Sequence, residues 1–214
     1  MAETVRHQIE RIQAEMQSRP AGLIEHSKRV AAEAIKIGQY WDVDAERLEL
    51  ASWGHDLFRH EPDERQLQLA REAGVAVGLE DRRSPIVLHG PIAASVMEHR
   101  FGVDDRDVLE AVRDHTLGLA EMSLLAKIIL LADKVEPRKR KRDPAMKLIR
   151  KLAWRDLDAA LLCWADWKWV EERQHGYESH PRHWSARVHW VREHHFEIGA
   201  ADLRLESVLR APVC

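Results

Sequence analysis

Apolar residues recur at intervals of three and four along most of this chain, and this spacing constrains its fold more than any other feature. On the helix predicted after Gly22, one stripe holds Leu23, His26, Val30, Ala34 and Ile37. Runs with strict two-residue alternation and β-branched enrichment, which are typical of strands, are hard to find. The sequence therefore predicts an all-α fold.

Glycine and proline interrupt the helical pattern at six places, and helices are predicted between them. The interruptions fall at 19–22, 61–62, 74–85, 102–105, 118–121 and 137–144. A chain of 214 residues with 45% hydrophobic side chains is long enough for one well-packed core. We expect one domain: an N-terminal helix (1–21), a metal-binding core (22–137), and a C-terminal helical part (138–214) packed on that core.

Composition argues against several classes of protein. Charged residues make up 32% of the chain, but the formal net charge is only -3, so no global basic field for nucleic acid is expected. Cys163 and Cys214 are too few for a disulfide framework or a thiolate cluster, which fits a reducing compartment such as the cytoplasm.

The longest apolar stretch, 124–132, is interrupted by Lys127 and is shorter than the ~20 residues that cross a bilayer. The N-terminus also lacks a signal-peptide pattern, and no membrane contact is expected.

Several histidines and aspartates occupy special positions in the predicted helices. His26 lies on the inward stripe of its helix, and His55-Asp56 closes a helix predicted over 44–57. His89 opens another helix, with Pro91 in its first turn. These positions direct titratable groups toward helix ends and the core.

Two more such groups follow. Asp104 is predicted to cap a helix that runs to His115, with Gly118 shortly after its end. The segment 122–135 is apolar on nearly every face and is predicted to be a central buried helix that carries Asp133 near its end. A bare buried carboxylate costs several kcal/mol unless it is paired or binds a metal.

Together these groups make a plausible ligand set for a metal centre. The six residues are His26, His55, Asp56, His89, His115 and Asp133. Imidazoles and carboxylates suit Fe, Mn, Zn or Co, and six such ligands could hold two ions. In our assignment, His26, His55, Asp56 and Asp133 hold the first ion, and Asp56 bridges to a second ion bound by His89 and His115. Any single histidine is more often a surface or core residue, so the inference depends on the whole ordered set.

The sequence motifs around these residues resemble those of a known family. These motifs are Glu25-His26-Ser27-Lys28-Arg29-Val30, His55-Asp56, Leu88-His89-Gly90-Pro91, His115-Thr116-x-Gly118, Met122-Ser123-x-Leu125-x-Lys127-Ile128-Ile129-x-Leu131-Ala132-Asp133, Glu136-Pro137 and His180-Pro181. This pattern resembles that of the HD phosphohydrolases and, within them, the YqeK-type symmetrical diadenosine tetraphosphate hydrolases. The resemblance runs from about residue 22 to residue 190.

The resemblance implies a fold, a cofactor and a reaction. The implied fold is an HD-domain helical bundle with its metal site between core helices. The implied cofactor is one or two divalent transition metal ions, iron first, with Mn, Co or Zn as alternatives. The implied reaction is symmetrical cleavage of diadenosine tetraphosphate to two ADP, in which a metal-bound hydroxide attacks one phosphorus.

The same resemblance assigns roles to residues. The metal ligands are His26, His55, Asp56 and Asp133, and His89 and His115 complete a second metal site or touch phosphate. The expected catalytic residues are Asp56, His89 and His115. The expected substrate-binding residues are Arg59, His89, His115, Thr116, Gly118, Arg138 and His180. Arg59 stands where the family usually has lysine, and the run 138–142 replaces a usual Gly-Arg, so this run is either a polyphosphate contact or a solvated loop.

The C-terminal third contributes aromatic rings whose role is left open. Most of the eight tryptophans are expected in the core, as the helical spacing of Trp164 indicates, while Trp53, beside the His-Asp pair, is the better candidate for stacking on a base. The histidines at 175, 180, 183, 189, 194 and 195 are expected at the surface, and only His180 gains from the resemblance.

Two other functions remain alternatives. The same ligands would serve an HD enzyme that acts on a nucleoside monophosphate or a guanosine polyphosphate. A non-catalytic module that senses a nucleotide is the third alternative. In each case the expected partner is a small nucleotide, and a homodimer is left open.

Overall fold

Helices form all the regular structure in the part of the chain that the structure describes. The computed structural model describes the backbone of residues 4–197 and the side chains of residues 4–193. Within that range there are twelve α-helices, one short 3₁₀ helix and no strands, so the all-α prediction is confirmed. The end of the predicted C-terminal part, with Cys214, and the side chains of His194 and His195 lie outside the described residues.

Helices lie between the glycine and proline breaks, as predicted, but two of the breaks, 74–85 and 137–144, also contain short helices, Leu79–Arg83 and Pro137–Arg142. In chain order, the elements are α1 (Val5–Met16), α2 (Ala21–Tyr40), α3 (Ala45–Gly54), α4 (Asp63–Glu72), α5 (Leu79–Arg83), the 3₁₀ helix Pro85–Leu88, α6 (His89–Phe101), α7 (Arg106–Asp114), α8 (Leu124–Val135), α9 (Pro137–Arg142), α10 (Ala145–Ala153), α11 (Leu157–Gln174) and α12 (Pro181–Glu197). Among these described helices, none is long and apolar enough to cross a membrane.

Side-chain caps explain where several helices begin. Thr4, Asp44, Ser123 and Asp156 each accept a hydrogen bond from the backbone N–H three residues later. Such a cap stabilises a helix by about 1 kcal/mol. The prediction that Asp104 caps α7 is wrong by one residue. Asp105 is the cap, because its carboxylate accepts from the backbone N–H of Val108 at 3.2 Å.

Helix α8 forms the centre of the bundle. It packs against α2, α3, α7, α10 and α11. Nine of its residues are buried, from Leu125 to Val135, so the prediction of a central buried helix is confirmed, with its start at Leu124. Because α10 and α11 pack directly on α8, the C-terminal part shares this core.

The basic run after α8 is helical, and the expectation of a break over 137–144 is wrong for its first six residues. Pro137 fits the first turn of α9, where its missing N–H has no intrahelical partner. The side chain of Glu136 caps the helix by accepting from the N–H of Arg138 at 2.8 Å. These two neighbours favour a helix despite the repulsion between like charges, and the helix ends before Asp143-Pro144.

A buried histidine lies where α12 packs on the core. His183 is 1% exposed, and its Nδ1–H donates to the carbonyl of Leu117 at 2.9 Å. Its ring packs on Trp164, and its Nε2 is buried without a hydrogen-bond partner. The surface position predicted for this histidine is therefore wrong. Burial lowers the pKa of His183 to about 4; the nearby Lys168 and Lys134 act in the same direction, while the Leu117 bond and Glu172 oppose it.

We expect this histidine to make the protein less stable in acid. Its pKa is about 4 when folded and about 6.5 when unfolded, so the unfolded state binds more protons between these values. The contribution of neutral His183 to stability is fully present above pH 6.5 and is lost as the pH falls toward 4. We expect the free energy of unfolding, measured in urea, to fall between pH 7 and pH 5 by about 2 kcal/mol more in wild-type protein than in His183→Asn. The asparagine keeps a donor for Leu117 but does not titrate. Equal losses in the two proteins would contradict this role.

Candidate metal centre

Five helices bring the six predicted ligands to one place. His26 comes from the middle of α2, His55 and Asp56 follow the end of α3, and His89 begins α6. His115 is the C-cap of α7, and Asp133 lies near the end of α8. Asp56, His55, His89, His115 and Asp133 are each at most 5% exposed, so the cluster is almost fully removed from water.

Asp56 lies at the centre of the cluster and separates its histidines into two pairs. Its Oδ1 is 3.0 Å from His89 Nε2 and 3.5 Å from His115 Nε2. Its Oδ2 is 3.5 Å from both His26 Nε2 and His55 Nε2. The donor atoms of His26, His55 and Asp56 lie within 4.8 Å of one another, and so do those of Asp56, His89 and His115. This is the arrangement expected of a carboxylate shared between two ions.

Hydrogen bonds to the backbone fix the orientation of three of these imidazole rings. His55 Nδ1 lies 2.7 Å from the Ser52 carbonyl, and His115 Nδ1 lies 2.8 Å from the Val112 carbonyl. His89 Nδ1 makes the same contact with the carbonyl of Ile86. Because a carbonyl can only accept, each Nδ1 carries the proton, and each Nε2 presents a lone pair toward Asp56.

These lone pairs test whether a divalent ion fits the residues present. His55 Nε2 is buried with no hydrogen-bond partner. His89 Nε2 and His115 Nε2 are 3.0 Å apart, and two bare lone pairs at that distance repel each other. A cation between them would satisfy both, and imidazole Nε2 with carboxylate is a usual donor set for transition metals. The residues therefore fit a divalent metal.

Asp133 is placed differently from the other ligands. Its Oδ1 is 3.0 Å from His26 Nε2, but it belongs to neither compact group of donor atoms. Its two oxygens accept from Lys134 Nζ and Lys139 Nζ, each at 2.6 Å. Burial favours a raised pKa for Asp133, but these two cations and His26 oppose it, and the pKa of the carboxyl lies well below its usual range.

Two histidines of the cluster have a lowered pKa, which favours their neutral form, and the central carboxylate is held ionised. Burial lowers the pKa of His55 to about 3 and also lowers that of His115. Burial alone would raise the pKa of Asp56, but the surrounding rings of His55, His115 and His89 lower it well below its usual range. Neutral imidazole and ionised carboxylate are the forms that bind metal.

Sequence reasoning gave no individual role to Glu136, Lys134 or Lys139. Glu136 is 1% exposed, accepts from Arg29 Nε at 2.8 Å, and has Oε1 3.8 Å from His26 Nδ1. It therefore caps α9 and faces a proposed ligand with the same carboxylate. Its motif with Pro137 was the available signal, and the basic run 138–142 was the signal for Lys139, whereas no pattern in the sequence marks Lys134.

Two residues expected to bind substrate lie in the cleft beside the ligands. Thr116 Oγ1 is 3.1 Å from His115 Nε2 and 3.3 Å from His89 Nε2. Arg59 lines the cleft, with Nε 4.0 Å from Asp56 Oδ2. These positions agree with contacts to a ligand held over the cluster.

Three other residues expected to bind substrate do not point freely into the cleft beside the ligands. Arg138 is exposed outside the cleft, and Lys139, one residue later, points into it, because the capped start of α9 turns position 139 toward Asp133. Gly118 lies outside the cleft, with φ of +73°, and a Cβ there would be 2.6 Å from the ring of Trp190. It serves packing. His180 lines the cleft, but its Nδ1 accepts from the N–H of Arg182 at 3.3 Å, and its Nε2 lies 3.3 Å from Asp81 Oδ1.

The cluster forms the floor of a cleft of about 1340 Å³. One side of this cleft is lined by α5 and the 3₁₀ helix, and the other by α11 and the turn before α12. The suggestion that Trp53 stacks on a base is wrong, because Trp53 is 6% exposed and packs in the core. Trp164 and Trp167 line the cleft instead.

Comparisons with known proteins agree with this geometry. The HD domain family model matches residues 23–138, which is more than half of the chain. A Staphylococcus aureus protein named "Bis(5'-nucleosyl)-tetraphosphatase, symmetrical" is 38% identical over 112 residues, covering 52% of this chain and 57% of its own length. A Bacillus subtilis protein of the same name is 34% identical over 137 residues, covering 64% of this chain and 72% of its own length. The first alignment thus spans little more than half of that relative.

A solved structure extends the similarity beyond the family model. It is described as a predicted HD superfamily hydrolase involved in NAD metabolism, from Clostridium acetobutylicum. The two chains are 30% identical, with a TM-score of 0.81, and the match covers 86% of this chain and 97% of the other. From the matched family model, the shared fold and the clustered His and Asp residues, it follows that this chain belongs to the HD domain family.

Proposed function

We propose that this protein hydrolyses a phosphoanhydride bond of a dinucleoside tetraphosphate and cuts diadenosine tetraphosphate symmetrically into two ADP. The observation that carries the proposal is that Asp56 is shared by two groups of histidines. Within each group, the donor atoms, including those of Asp56, lie within 4.8 Å of one another. The names of the two relatives support this choice of substrate. We further propose that the enzyme acts in the cytoplasm.

The residues present would hold one or two divalent transition metal ions, and we propose iron. His26, His55, Asp56 and Asp133 would hold one ion, and Asp56, His89 and His115 the other. Bound divalent ions lower the pKa of water and offset the negative charge of phosphate oxygens. Asp133 would then exchange its lysine contacts for the metal, which frees both lysines to meet an anion.

The chain itself supplies positive charge where the polyphosphate would lie. Arg59, Lys134 and Lys139 all line the cleft beside the cluster. Cations fixed in this way stabilise the charge that spreads over the oxygens as phosphorus is attacked. Thr116 Oγ1, within 3.3 Å of two ligand nitrogens, can orient a phosphate oxygen or a water. ADP leaves readily as an anion, so no protonated side chain is needed to assist it.

The test is a panel of nucleotides given to purified, iron-loaded protein. It contains diadenosine tetraphosphate, AMP and guanosine tetraphosphate, and products are separated by anion-exchange chromatography. We expect turnover of the diadenosine compound with ADP as the sole product. Equal amounts of AMP and ATP would contradict the symmetrical cut, and turnover of only AMP or guanosine tetraphosphate would support the other HD activities. Binding without turnover would favour a sensing module.

A further inference from the structure

One wall of the cleft carries aromatic rings that the metal centre does not use. Along α11, the cleft-lining positions 164, 167, 168 and 171 lie three, four and seven residues after the first of them, so they share one side of the helix. Trp164 is 2% exposed and packs beneath this face. Trp167 is partly buried against the core and partly open to the cleft.

The turn after α11 adds two more rings. His175 and Tyr177 are stacked, with ring centroids 5.8 Å apart and planes 15° apart, and both line the cleft. Tyr177 is 65% exposed, so its ring is accessible from the cleft. Flat, exposed rings beside a charged cleft are the type of surface on which nucleobases stack.

Charged side chains connect this wall to the metal centre. Lys134 Nζ lies 2.6 Å from Asp133 Oδ2 and 5.5 Å from the centroid of the Trp164 ring. Lys168, one residue after Trp167, also lines the cleft and pairs with Glu172 at 2.7 Å. Lys134 therefore contacts both the Asp133 carboxylate and the Trp164 ring, and cations, metal donors and aromatic rings all line one cleft. A nucleotide likewise joins an anionic phosphate chain to a flat base, so one such cleft offers groups that suit both of its parts.

We propose that Trp167 and the stacked pair His175–Tyr177 form the binding site for one purine base of the nucleotide substrate. This inference rests on the proposed function and adds to it a determinant of base recognition. Stacking on such rings does not depend strongly on which purine is bound. Because inorganic polyphosphate has no base to stack, the site would favour nucleotides over it. The rings take no part in the chemistry, and their loss should weaken binding without changing the cleavage step.

Two variants test the site with little risk to folding. Tyr177→Ala changes an exposed side chain, and Trp167→Leu keeps an apolar group against the core. Inhibition of diadenosine tetraphosphate hydrolysis by ADP should weaken about tenfold in each variant, while inhibition by inorganic tripolyphosphate stays unchanged. KM for the substrate should rise with kcat nearly constant. Trp169→Leu is the matched control, because Trp169 is on the same helix, 38% exposed, and does not line the cleft.

Calorimetry separates this inference from the proposed function. ADP is titrated into the full chain, so the result does not depend on turnover of any substrate. If no nucleotide of the panel is hydrolysed but ADP binds about tenfold more weakly to the variants than to wild-type protein, the proposed reaction is contradicted and the proposed base site is supported. The inference is overturned if wild-type protein does not bind ADP. Unchanged ADP affinity in both variants, or an equal loss in Trp169→Leu, would also overturn it.

Discussion

Asp56→Asn should abolish nearly all hydrolysis, with kcat/KM falling by about 10³-fold or more, equivalent to about 4 kcal/mol of transition-state stabilisation. Each oxygen of Asp56 faces a different pair of histidines. An asparagine has nearly the same shape, but its amide nitrogen would meet one of these pairs, and the negative charge is lost. Both ions should therefore bind more weakly.

Metal analysis of the purified variant distinguishes this cause from misfolding. We expect Asp56→Asn to retain its helical circular dichroism signal and to contain much less iron than wild-type protein. Asp104→Asn is the matched control, since Asp104 is an exposed aspartate outside the cluster. Full metal content in Asp56→Asn together with normal kcat/KM would show that Asp56 is not a shared ligand.

His89→Ala should remove one ion and leave the other. The group of His26, His55 and Asp56 does not include His89, whereas the second group depends on it. We expect the metal content to fall from two equivalents to one per chain, and kcat to fall by about 10²-fold, or about 3 kcal/mol. Elemental analysis after chelator-free purification measures the metal content, and steady-state kinetics measures kcat.

The matched control for this variant lies on the same helix. His99 is also on α6, but it is exposed, and its Nδ1 contacts the carbonyl of Ser95 at 2.8 Å. His99→Ala should keep both ions and full activity. Two equivalents of metal in His89→Ala would mean that His89 acts on the substrate directly, and loss of both ions would mean that the two groups are not independent.

The clustering of the six proposed ligands could be predicted from the sequence because each one occupies a position that a helix explains. His26 shares the apolar stripe of α2, and Asp133 is a carboxylate in a helix with no polar face. The predictions failed where the direction of a side chain depended on the exact start of an element. The cap at Glu136 turns Lys139, and not Arg138, toward Asp133.

Sequence proximity to the cluster was also misleading for the aromatic residues. Trp53 precedes the His-Asp pair by two residues, but residues one or two apart on a helix do not face the same way. Its ring consequently packs in the core, while the rings that reach the cleft come from α11 and the following turn, more than a hundred residues later. Only the packing of the C-terminal helices on α8 reveals that contact.

The bonds from Nδ1 of His55, His89 and His115 to carbonyls three residues earlier have an energetic consequence for metal uptake. Each ring is held by the end of its own helix or by the turn that precedes it, so its two torsion angles are fixed when the chain folds. The entropy of ordering these side chains is then lost in folding and not again on binding. Affinity for the ion is raised by this preorganisation, and the three rings should keep the same rotamers with and without metal.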